Sequence, residues 1–139
     1  ILAPDYQKTL EWCFESMAKN GYWAVMLFSN FKELPTPKRG HKIINIGSTH
    51  VCSGVGLIYD CALLRDFIDF YKEAPMPVQS HRLGPPDISL GLYLQSRGLK
   101  LGCLSPSIIQ HLDDGSELGH GKEGYKRRSH SFTERYGER

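Results

Sequence analysis

The chain has 139 residues, of which 40% are apolar and 11% aromatic, enough for one compact domain with an ordinary core and too many for general disorder. Its 17 basic and 15 acidic residues leave a formal net charge of +2, which excludes the broad positive field of a nucleic-acid binder. No apolar run approaches the roughly 20 residues that cross a bilayer, and the opening residues do not read as a signal peptide.

Ile1-Leu2-Ala3-Pro4 opens the chain without an initiator methionine, as an excised piece of a longer protein would. Pro4-Asp5 then reads as a helix start, because Tyr6, Leu10, Cys13 and Met17 recur at the spacing of one helical face. Asn20-Gly21 stops that helix. Tyr22 to Phe28 is continuously apolar, which predicts a strand buried on both faces, with Trp23 in the core. From Ser29 to Lys42 the chain is polar and carries Pro35, Pro37 and Gly40, so it reads as a surface loop adding little to the core.

Ile43 to Ile46 is a short strand ending at Gly47, and Gly56 to Tyr59 is a second one. Between them lies the turn Cys52-Ser53-Gly54-Val55-Gly56, where glycine permits a sharp turn or a close approach to a ligand. Asp60 to Lys72 predicts the clearest amphipathic helix. Leu63, Leu64, Phe67, Ile68 and Tyr71 form its inner side, with Arg65, Asp66, Asp69 and Lys72 on its outer side. Ala74 to Gly84, with Pro75, Pro77, His81 and Gly84, cannot stay regular for long.

Pro86-Asp87 opens a further helix to about Arg97, with Leu90, Tyr93 and Leu94 inward and Gly98 as its carboxyl-terminal cap. Leu99 to Leu104 reads as a strand, and Ser105-Pro106-Ser107 turns into the short apolar segment Ile108-Ile109-Gln110-His111. Beyond Asp113 the chain is polar, glycine-broken and basic, a surface tail. Helices alternating with strands in this order predict an α/β fold, a mixed sheet with flanking helices.

Four cysteines, Cys13, Cys52, Cys61 and Cys103, allow three full pairings, and none forms the closely spaced pair of a zinc site. Disulfides and buried thiols both fit. A nucleophilic Cys52 with His50 or His81 and Asp87 would make a hydrolase arrangement, but no signature surrounds the cysteine. Strong salt-sensitive association through Lys126, Arg127 and Arg128 would be needed for a nucleic-acid binder, and the near-neutral body argues against it.

Cys52-Ser53-Gly54-Val55-Gly56, a strand, an amphipathic helix, then Pro86-Asp87-Ile88-Ser89-Leu90-Gly91-Leu92 and Gly98-Leu99-Lys100 resemble the carboxy-terminal half of GT-A-fold glycosyltransferase catalytic domains. Golgi β-1,3-glycosyltransferases look similar in the glycine turn and in the acidic helix start. Pro106-Ser107-Ile108-Ile109-Gln110-His111 with Ser116-Glu117-Leu118 is similar to a pattern of branching N-acetylglucosaminyltransferases. The resemblance covers roughly Ile43 to Gly119. It implies a glycosyltransferase-like half-domain over residues 1–119 of a nucleotide-diphospho-sugar transferase fold, with a basic polar tail over 120–139.

By this resemblance Asp87 is the general base that takes the proton of an acceptor hydroxyl as it attacks the anomeric carbon of a UDP-sugar. The plainer reading of Asp87 is a residue favoured at a helix amino terminus, and the two are compatible. His111 matches the late histidine of a divalent-metal site, with Mn2+ the expected ion. Without the resemblance it reads as a structural histidine at a strand end. Cys52, Ser53, Gly54 and Gly56 would line the substrate cleft, and His120 and Lys122 would close over the donor diphosphate, although a solvated tail explains most of that basic charge as well.

The resemblance further implies an inverting, metal-dependent enzyme of the Golgi lumen with a glycan or glycoconjugate acceptor. One feature departs from the family pattern: the first forty residues hold no Asp-x-Asp motif. An amino-terminal nucleotide-binding half, on the same or another chain, is therefore an expected partner. The alternative reading is a non-catalytic carbohydrate-binding or scaffolding α/β module.

Overall fold

A computed structural model describes residues 2–28, 34–47, 56–73 and 86–109, with the side chains of 86–88 outside that description. The elements run α1 (Tyr6–Asn20), β1 (Tyr22–Met26), β2 (Lys42–Ile46), β3 (Leu57–Tyr59), a 3-10 turn (Cys61–Leu63), α2 (Leu64–Glu73), α3 (Pro86–Ser96) and β4 (Lys100–Ser105). They form a mixed α/β structure around an open four-stranded sheet of order β2-β4-β1-β3. β4 is parallel to β1, whereas β2 is antiparallel to β4 and β3 antiparallel to β1.

The apolar run after Gly21 becomes a central strand because both its faces are covered. Val25 and Leu27 pack with Cys13 and Met17 of α1 and with Leu104 and Ile108. Ala24 and Met26 face the other way, against Leu90, Tyr93 and Leu94 of α3 and Leu101 and Cys103 of β4. The sheet thus lies between α1 on one side and the α2–α3 pair on the other, and the alternation of a pleated strand explains the continuous apolar sequence. Trp23 is half-buried against the second cluster. Leu34 joins it too, so the proline-rich loop contributes to the core, and Ser105 Oγ donates to the Pro35 carbonyl at 3.0 Å.

Glycine ends both long helices as the sequence predicts. Gly21 (φ 68°) donates to the Met17 carbonyl. Gly98 (φ 63°) donates to Gln95 O at 3.1 Å while Leu99 N donates to Leu94 O at 2.8 Å, the paired bonds of a Schellman ending. At the other end of α1, Asp5 stands at the N-cap position as expected, and its side chain makes no capping bond. Asp60 instead caps the 3-10 turn, accepting from Ala62 N at 2.8 Å.

α2 requires a correction. Leu64 and Ile68 are exposed rather than inward, whereas Asp66 is exposed as expected and also accepts bonds from Tyr93 and Arg97. The helix presents Phe67 and Phe70 to α3, where Tyr93 seats its ring against them at centroid distances of 5.4 and 5.5 Å, and Leu63 of the preceding 3-10 turn packs against the same cluster. Residues spaced by three and four form that stripe, which carries Asp66 with it.

Candidate active site at the carboxyl ends of the parallel strands

Strand directions place Gly56 and the backbone of Asp87 toward one end of the sheet. β1 and β4 end there, since they are parallel, while β2 and β3 begin there: Met26 pairs with Leu57, and Ser105 with Lys42. α3 closes on β4 through Gly98-Leu99, so its last turn lies beside the start of β4 and the helix runs back along the sheet. Eleven helical residues span about 16 Å, comparable to the roughly 20 Å of a six-residue strand. Its first turn, containing Asp87, accordingly stands toward the carboxyl ends of β1 and β4, where ligands bind in open α/β sheets.

Gly56 is the described member of the glycine turn. It adopts φ 68°, and a Cβ there would overlap Cδ1 of Ile109. Backbone bonds reinforce the junction: Leu27 N donates to Gly56 O at 2.7 Å, Ile108 N donates to Leu27 O at 3.2 Å, and Ala3 N donates to Ile108 O at 2.8 Å. Leu2 also bridges Ile109. The end of the glycine turn and the segment that leads to His111 are therefore in direct contact, although they are distant in sequence. Cys52, Ser53, Gly54, His111, His120 and Lys122 lie outside the described residues, as do His50 and His81, and Asp87 is described through its backbone alone.

Among the described residues no group of three His, Cys, Asp or Glu side chains gathers to hold a metal ion. Those residues alone thus supply no ligand set for Mn2+. Cys13 and Cys61 are free thiols, so none of the three full cysteine pairings forms. Burial in the α1 layer pushes the Cys13 thiol up to about 12, which leaves it protonated and unreactive at neutral pH. Burial likewise lowers the His41 imidazole below its usual value, next to the Trp12 ring at 6.3 Å.

A polar cluster that the sequence did not reveal stands at the opposite end of α3. Asp66 accepts from Tyr93 Oη at 3.0 Å and from Arg97 Nε and Nη2 at 3.1 and 3.0 Å. The guanidinium also lies 5.9 Å from the Tyr93 ring centre. The four-residue spacing of Tyr93 and Arg97 signals a shared helical face. Their partner on α2 has no local signal. This cluster fastens α2 to α3 and is remote from the gathered site.

No family, curated protein or solved structure matches the chain.

Proposed function

We propose that this chain is the acceptor-side portion of a GT-A-like glycosyltransferase catalytic domain, with Asp87 as general base. The observation that carries the reading is the convergence on one sheet end of the glycine turn's last residue, the first turn of α3 and the segment preceding His111.

In the reaction, the Asp87 carboxylate accepts the proton of an acceptor hydroxyl. The freed oxygen forms a bond to the anomeric carbon of a UDP-sugar from the face opposite the leaving group. The bond from that carbon to the diphosphate oxygen breaks, its electron pair leaves with UDP, and the configuration inverts. A helix amino terminus favours negative charge, which suits a carboxylate that must begin ionised. Cys52, Ser53, Gly54 and Gly56 are assigned to the lining of the substrate cleft, Gly56 through its backbone, since Ile109 fills the space of its absent Cβ. His120 and Lys122 are assigned to the diphosphate, and His111 to one position on a divalent ion, Mn2+, that would neutralise the leaving group. The acceptor is a glycan or glycoconjugate, the expected location is the Golgi lumen, and a nucleotide-binding half completes the site.

Incubation of the assembled protein with UDP-sugars, Mn2+ and a panel of glycan acceptors tests the reading, with the anomeric configuration of donor and product compared by NMR. Inverted transfer product supports it. Retained glycan binding with no transfer from any donor would replace it with the carbohydrate-binding reading.

A further inference from the structure

Resting on the transferase reading, we infer that Ile109 is a positioning residue whose side chain, packed on Gly56, holds that residue in register with Ile108-Ile109. The contact has no slack. Gly56 has no Cβ and a left-handed backbone, and the space a Cβ would take is filled by Cδ1 of Ile109. Leu27, at the carboxyl end of β1, lies between the two segments and bonds to both, donating to Gly56 O and accepting from Ile108 N. Leu27 is itself buried, and its Cβ lies 3.4 Å from the same Cβ position on Gly56.

These contacts join three strands' ends through one backbone residue and one side chain. The Leu2 bridge and the Ala3 bond fix Ile108-Ile109 from the other side, so that segment has little freedom to follow a displaced turn. Shifting Ile109 therefore moves Gly56 relative to Ile108-Ile109 without touching substrate. Misplacement of about 1 Å in such a site can cost as much as a hundredfold in rate.

The test uses the full chain and four variants: Ile109→Val, Ile109→Ala, Gly56→Ala, and Gly56→Ala combined with Ile109→Val. Hydrogen exchange is read first, without substrate. Ile109→Ala is expected to raise exchange roughly tenfold at the Leu27 amide as well as at Ile108, with the β2–β4 ladder unchanged. Gly56→Ala should loosen the same two amides, and adding Ile109→Val, which removes the overlapping methyl, should recover part of that protection.

The second arm measures transfer from UDP-galactose and UDP-N-acetylglucosamine. It should show kcat falling about tenfold in Ile109→Ala while the acceptor KM holds, with Ile109→Val within threefold of wild type. Exchange that rises at Ile108 alone, or a double variant no better protected than Gly56→Ala, would overturn the inference. The exchange arm decides the coupling even where the wild type transfers no sugar, a result that would overturn the transferase reading alone.

Discussion

The Tyr93 hydroxyl reaches across from α3 to donate to the Asp66 carboxylate of α2 at 3.0 Å, and it does so from a ring that is only 1% exposed. This bond, with the Arg97 fork on the same carboxylate, orients the helix whose first turn carries Asp87. Replacing Tyr93 by Phe keeps the ring stack and removes the bond, so a loss of about 1 kcal/mol is expected in urea unfolding. Asp66→Ala should cost more, about 1–3 kcal/mol, because it leaves a buried hydroxyl without its acceptor. Arg97→Ala should cost under about 1 kcal/mol, since both partners of that pair are half-exposed and water screens them. Equal losses in the three variants would contradict this ranking.

Alkaline pH should weaken the fold through Tyr93 and Cys13. Burial raises the Tyr93 phenol first, followed by its bond to Asp66, and burial alone raises Cys13 from 9.0 to about 12. In both, the folded state holds its proton more tightly than the unfolded chain. Stability is full below pH 9 and declines as the unfolded chain releases protons from about pH 9 upward, until the folded groups titrate in turn. Urea midpoints measured from pH 8 to 11 should fall, and Cys13→Ala should flatten the decline.

The acid side has the opposite origin. Burial lowers His41 from 6.5, so the folded state resists the proton that the unfolded chain accepts. Stability present above pH 6.5 should fall as the pH drops through the lowered value. A His41→Gln variant should show a shallower slope between pH 7 and pH 5 in the same measurement, and an unchanged slope would remove His41 from the account.

Gly102 lies in β4 where β2 and β1 flank it. A Cβ there would overlap Cγ2 of Ile43 and sit 3.2 Å from Tyr22 Cδ1 and Val25 Cγ2. Gly102→Ala is expected to destabilise by about 1–3 kcal/mol through overpacking, and it should cost less in an Ile43→Ala background, which lacks the overlapping Cγ2. Thermal unfolding of the single and double variants measures that coupling.

The elements were legible because their signals are local. The spacing of Tyr6, Leu10, Cys13 and Met17 gave α1, and Gly21 and Gly98 marked helix ends where a left-handed residue was needed. Continuous apolar character from Tyr22 correctly indicated a strand covered on both faces. The insertion of β4 between β1 and β2 was not legible, since strand pairing is set by distant partners. Asp66 lies on the exposed side as its position indicated, but its bonds to Tyr93 and Arg97 were not legible for the same reason. At the candidate site, the glycine turn and the Asp87 helix start were visible as motifs. The seating of Ile109 on Gly56 had no sequence signal, because it joins two strands' ends through the fold.

We propose Asp87 as the proton acceptor of a sugar transfer. Its most direct test is the turnover of Asp87→Asn in the assembled protein, measured beside its unfolding midpoint and its affinity for the glycan acceptor. Loss of a general base is expected to lower kcat by about 10²–10⁴-fold with folding and acceptor binding retained. Turnover equal to that of the wild type would contradict the assignment.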